Sequence, residues 1–141
     1  MIRLQDLLRE GTDKKLYVDM GGVLFTPYRG DTGETEQEAT YIGDALWQGI
    51  KMYSPIILSA ASSTKARDEK LAQIQKHLGS GVPAKFVNTG AAKAAFAAGG
   101  NVLVDDKQDN VTAWEAAGGV GILHDANAVQ TSIDAVAAAM S

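Results

Sequence analysis

The chain has 141 residues, enough to bury a sizeable core around one sheet in a single domain. Its net charge of −4 speaks against general nucleic-acid or anionic-membrane binding, which needs clustered Lys and Arg. With 45% hydrophobic and 21% charged residues it has the composition of a soluble globular protein, and its lack of cysteine excludes disulfides, thiolate metal sites and a cysteine nucleophile. No apolar run approaches membrane-spanning length, and Met1–Asp6 shows no signal-peptide core, so a cytoplasmic protein is expected.

Leu4–Leu8 is a short helical candidate. Leu16–Asp19 reads as the first strand. A turn-rich, charged stretch, Thr26–Thr35, follows it and carries Tyr28 and Arg29. From about Glu36 to Tyr53 the spacing of Ile42, Leu46, Ile50 and Tyr53 predicts a helix with one apolar face. Pro55–Ser59 is a second strand, and Thr64–Leu78 a second helix with Leu71, Ile74 and Leu78 on its stripe and Gly79 as its stop. Lys85–Val87, Asn101–Asp105 and Val120–His124 are further strands, with an Ala/Gly-rich stretch at Ala91–Gly100. The last helix carries Val129, Ile133, Val136 and Met140 on one face. The strands are apolar almost throughout, the pattern of a sheet covered on both faces. Alternation with helices implies βαβ units, hence an α/β fold around a five-stranded parallel sheet.

Polar residues terminate these apolar runs: Asp19 after the first, Ser59 after the second, Asp105 and Asp106 after the fourth. In a parallel sheet such ends share one edge, and ligands bind beyond it. Several carboxyl oxygens beside a hydroxyl make a hard-oxygen site suited to Mg²⁺, which relieves their repulsion and prepares the site for a phosphate dianion. The plainer readings are a turn or cap role for Asp19, an N-cap role for Ser59 at the next helix, and a solvated turn at Asp105–Asp109 with a helix N-cap at Asn110. His77 and His124 show no metal-ligand spacing.

The ordered set Val-Asp-Met-Gly-Gly-Val-Leu, Ile-Leu-Ser-Ala, a Lys, and Val-Leu-Val-Asp-Asp-Lys-Gln-Asp-Asn resembles the four motifs of the haloacid dehalogenase (HAD) superfamily of phosphohydrolases. The stretch Asn101–His124, with Trp114 and Ala-Gly-Gly-Val-Gly-Ile-Leu-His, is similar to the last motif of small members near the 5′(3′)-deoxyribonucleotidases. The resemblance runs from Leu16 to about His124. It implies a three-layer α/β sandwich with a minimal cap, the insertion at about 26–35 rimming the site. It also implies Mg²⁺ as cofactor and a small-molecule phosphate ester or phosphate as ligand. Asp19 matches the nucleophile that forms an aspartyl-phosphate, and the carbonyl of Gly21 a metal ligand. Ser59, with Ala60 beside it, matches the phosphate-binding motif. Asp106 matches the acidic metal ligand, with Asp105 as a direct or water-mediated partner. Lys93 is the choice for the third-motif lysine, and Lys85 its competitor.

Gly21 departs from the pattern, because the second carboxylate of the first motif belongs at that position. General acid–base help is worth about 10²–10⁴ in rate, so a slow phosphohydrolase is expected, least impaired on substrates with good leaving groups. The alternative is a HAD-fold binding or structural module, a pseudophosphatase within a larger assembly. A phosphoacceptor receiver domain fails on motif order. Substrate identity and a homo-oligomeric state are open at this stage.

Overall fold

The computed structural model describes residues 13–27 and 39–141. In chain order it has β1 (Leu16–Val18), α1 (Asp44–Ile50) continued by a 3₁₀ turn (Lys51–Tyr53), β2 (Ile56–Ala60), α2 (Thr64–His77) and β3 (Ala84–Val87). A 3₁₀ helix (Ala91–Phe96), β4 (Val102–Asp105), α3 (Gln108–Ala116), β5 (Val120–Leu123) and α4 (Val129–Met140) complete it. All strand pairs are parallel, in the order β3-β2-β1-β4-β5. The chain therefore winds outward from β1 in one direction through β2 and β3, returns, and winds the other way through β4 and β5. The reversal falls between β1 and β4, the place where open α/β sheets bind ligands.

Alternation along the central strands sorts side chains into two cores. Leu16 and Val18 of β1, Ile57 of β2 and Val102 and Val104 of β4 join Leu46, Trp47 and Ile50 of α1, Ile74 of α2 and Val136 of α4 on one face. Tyr17, Leu58 and Leu103 point the other way, onto Ala97 and Trp114. Trp114 is fully buried, packs edge-on against Tyr17 and donates its Nε1–H to the carbonyl of Asn101 at 2.8 Å. A side chain at Gly119 would collide with that indole, so the turn into β5 requires glycine. These are helix–sheet–helix layers, as expected from the alternating elements.

Several expectations about the elements need correction. Among the described residues of the helix expected over Glu36–Tyr53, Asp44–Ile50 and its 3₁₀ extension are helical, and 39–43 are not. Within residues 39–43, Tyr41 pairs instead with Phe25 as an antiparallel bridge. Ile42 consequently stands outside the helix and is 47% exposed. Local periodicity was overridden there by a tertiary contact to the turn after β1, whose Leu24 carbonyl accepts from Ile42 and Gly43. In α2, Ile74 is buried as expected, but Leu71 is exposed while Glu69, Lys70 and Gln73 are covered. Gly79 does end that helix, with φ of 113° and its N–H on the carbonyl of Ile74. The Leu4–Leu8 candidate and most of the 26–35 insertion, with Tyr28 and Arg29, lie outside the described residues. No helix among the described residues is long and apolar enough to cross a membrane.

Candidate functional site

The strand pairing delivers Asp19 to the switch point. Its backbone N–H still bonds to the carbonyl of Val104, so the residue is pinned to β4 just beyond the end of β1. The chain then turns hard: the Met20 carbonyl accepts from Leu24 and Phe25 at 2.9 Å, and the Gly22 N–H donates to Phe25. Gly22 holds a φ of 83°, and a Cβ there would run into the carboxylate of Asp106. The conformational freedom and the close approach coincide at Gly22, while Gly21 is not among the left-handed glycines.

Lys93 arrives from the 3₁₀ helix and is 2% exposed. Its ammonium donates to Asp19 Oδ1 at 2.7 Å and to Asp105 Oδ2 at 2.9 Å, bridging β1 and β4. Lys85, its competitor, lies elsewhere, over the ring of Phe96 on edge strand β3. The Ala/Gly-rich stretch winds into a 3₁₀ helix with Lys93 at its third position.

Asp105 is fully buried and its oxygens are taken up by the protein. Oδ1 accepts from the Lys107 N–H at 3.0 Å, and Oδ2 accepts from Lys93 and from Asn110 Nδ2 at 3.1 Å. Asn110 is therefore not the helix N-cap. The helix begins two residues earlier, at Gln108, which leaves the Asn110 amide free to reach back to Asp105. A Cβ at Gly90 would strike that amide, so the turn before the 3₁₀ helix packs directly on it. Asp106 is the contrasting neighbour. Its Oδ1 is buried with no hydrogen-bond partner among the described residues, an expensive arrangement for a carboxylate oxygen.

Ser59 is buried in β2 rather than capping a helix; the cap of α2 is Ser63, which accepts from the Ala66 N–H at 3.1 Å. The Ser59 hydroxyl accepts from Lys70 Nζ at 2.7 Å, and the same ammonium donates to the Ala60 carbonyl at 2.9 Å. Arg67 clamps the intervening loop by donating to the Ala61 carbonyl and to Asn88. Lys70 was not singled out from sequence. The signal was present in the α2 stripe, where polar residues fall beside Ile74 on the covered side.

Asp19, Ser59, Ala60, Lys70, Lys93, Asp106 and Asn110 line an open cavity of about 510 Å³ that also takes in Gly21, Pro27, Gly90, Lys107 and Asp109, with Asp105 buried behind its wall. One oxygen from each of Asp19, Asp105 and Asp106 falls within 4.8 Å of the others, with the Lys93 ammonium beside them. Burial, and then the neighbouring carboxylates, push the Asp19 carboxyl up to about 7 against the opposing pull of Lys93. Burial works against the Lys93 ammonium too, but Asp19 and Asp105 outweigh it and hold its pKa above the ordinary lysine value. The cluster sets three carboxyl groups against the one Lys93 ammonium. A divalent cation fits this donor set, because it would engage the orphaned Asp106 oxygen and relieve the charge that burial penalises.

His124 is buried behind this edge. Its ring Nδ1 and the Ser132 hydroxyl share a hydrogen bond of 2.7 Å, and its N–H donates to the Asp105 carbonyl. Burial lowers its pKa, with Asp106 and Asp125 pulling the other way. His77 is exposed and stacks on Tyr41. Among the described residues neither histidine joins a metal-type cluster.

No family model matches this chain, and no curated protein does. It is similar in structure to an uncharacterized protein from Corynebacterium glutamicum, known from a crystal structure. The TM-score is 0.56 and the identity 21%, over 87% of this chain and 93% of that one. At that identity the likeness shows a shared fold.

Proposed function

We propose that this chain is a Mg²⁺-dependent phosphohydrolase of the HAD type, acting on a small phosphate ester through an aspartyl-phosphate at Asp19. The observation that carries the reading is the orphaned, buried oxygen of Asp106 beside Asp19 at the β1/β4 reversal. Asp19, Asp106 and the Gly21 carbonyl would hold the cation, with Asp105 behind them as the residue that fixes Lys93 and the start of α3. The cation, when bound, supplies charge neutralisation for the phosphoryl group and for the carboxylates around it. Lys93 orients Asp19 for attack on phosphorus. Ser59 and the Lys70 ammonium present hydrogen-bond donors to phosphoryl oxygens, with the Ala60 backbone next to them. Nucleotide-derived phosphomonoesters are within this class, and a cytoplasmic setting accords with a cysteine-free chain.

Gly21 favours a second reading, a phosphate- and metal-binding module without turnover. Hydrolysis of para-nitrophenyl phosphate with Mg²⁺, measured on the unsubstituted chain, on Asp19→Asn and on Gly21→Asp, separates the two. Turnover that Asp19→Asn abolishes rules out the module. Phosphate binding by calorimetry, with no turnover in either the unsubstituted chain or Gly21→Asp, rules out the phosphohydrolase.

A further inference from the structure

At residue 21 the cavity wall is backbone alone, on the same turn as Asp19. A group that protonates a leaving oxygen has to be held within hydrogen-bond reach of it. Among the described residues, the other titratable side chains on the cavity are engaged or unaimed. Lys93 is committed to Asp19 and Asp105, and Lys70 to Ser59 and Ala60. Asp106 belongs to the carboxylate cluster. Lys107 and Asp109 are exposed around the start of α3, and among the described residues no hydrogen bond positions either side chain.

From this juxtaposition of a held Asp19 carboxylate with a bare wall at Gly21, we infer that the site's substrates are acyl phosphates, mixed anhydrides of a carboxylic acid and phosphate. The inference rests on the phosphohydrolase reading above. When an Asp19 oxygen bonds to phosphorus, the bond from phosphorus to the leaving oxygen breaks and its electron pair departs on that oxygen. An alkoxide is far too basic to leave at neutral pH without a proton. A carboxylate is the stable base of an acid with a pKa of about 4 and leaves as it is. No proton moves in that step. One acyl phosphate is exchanged for another, the aspartyl-phosphate, so the transfer is nearly balanced in free energy and runs in both directions. Release by water is a different matter, since the attacking water must lose a proton and residue 21 offers no base. The phosphorylated chain therefore accumulates.

The test compares acetyl phosphate with ethyl phosphate on the intact chain with Mg²⁺, reading phosphoryl incorporation by intact mass and its position by borohydride reduction. Acetyl phosphate is expected to label Asp19 at least ~100-fold faster than ethyl phosphate, the lower end of what general acid help supplies. Labelled acetate is expected to exchange into acetyl phosphate. Gly21→Asp should narrow the gap and shorten the life of the label. Equal labelling rates from the two donors overturn the inference. So does the absence of label from acetyl phosphate: turnover of para-nitrophenyl phosphate in the same sample would then leave the phosphohydrolase reading standing, and no turnover would remove both.

Discussion

Around Asp105 the chain leaves almost nothing unassigned. Lys93, Asn110 and the Lys107 backbone all donate to its two oxygens, and the residue is wholly excluded from solvent. Around Gly21, one turn after the facing strand, the same cavity offers only main chain. Charge-assisted hydrogen bonds in a dry site fix positions to a fraction of an ångström, so the Asp105 side is pre-organised for orienting a carboxylate. Binding and attack need such positioning, whereas proton transfer needs a titratable group that Gly21 does not bring. The difference teaches that one site can set a fully ordered carboxylate–ammonium network against a wall that brings no titratable group.

Lys93→Met attacks the ordered side at its centre. It removes the cation between Asp19 and Asp105 and should cost about 3–5 kcal/mol of unfolding free energy in chelator. Denaturant titration should show the loss shrinking on acidification or on adding Mg²⁺. If the loss is the same at all pH values and Mg²⁺ concentrations, carboxylate repulsion is not its cause.

Gly22→Ala and Gly21→Ala form a pair that sharpens the contrast within the bare turn. Gly22→Ala forces a side chain into a left-handed position and into Asp106, so roughly 1–3 kcal/mol of stability should go, with weaker Mg²⁺ binding by calorimetry. Gly21→Ala carries no left-handed penalty and should stay within ~1 kcal/mol of the parent. Equal costs would show that Gly21, too, is held by backbone geometry.

Asp19→Asn should stabilise the chain by about 1–2 kcal/mol at neutral pH without metal, as removal of a charge that burial penalises does. The sign follows from linkage. The folded-state Asp19 pKa of about 7 lies above the unfolded value of 3.8. Its stabilising contribution is therefore complete below about pH 4 and lost as pH rises through about 7. Thermal melts from about pH 4 to about pH 8 should slope downward in the parent and less so in Asp19→Asn. A parent curve parallel to the variant's would mean that Asp19 titrates normally.

The smallest effect is expected from Asn110→Ala, which withdraws one of the three donors on Asp105 and should cost about 1 kcal/mol. Hydrogen exchange should show the loosening confined to the start of α3.

Periodicity and chain order alone carry the architecture. Five apolar runs separated by amphipathic stretches are satisfied by a parallel sheet covered on both faces, and the polar residues closing the first, second and fourth runs mark the ligand edge. Asp19, Ser59, Asp105 and Asp106 were legible for that reason: each interrupts an apolar pattern at a strand end. The tyrosine bridge that displaced the helix start at residues 39–43 was not legible, because it depends on a turn distant in sequence. Lys70 was hidden as one charge among several on a helix whose buried side mixes polar and apolar residues.

The two acidic neighbours give the plainest division. Sequence determines that Asp105 and Asp106 stand together at the end of a buried strand, and that residue 21 carries no carboxylate. Only the tertiary structure decides which oxygens are consumed. The pleat and the helix that follows turn Asp105 inward onto Lys93 and Asn110, and leave one oxygen of Asp106 buried and unanswered over Gly22. Side-chain identity is local, but the satisfaction of a buried charge depends on groups such as Lys93, from the 3₁₀ helix before β4, and only folding brings them there.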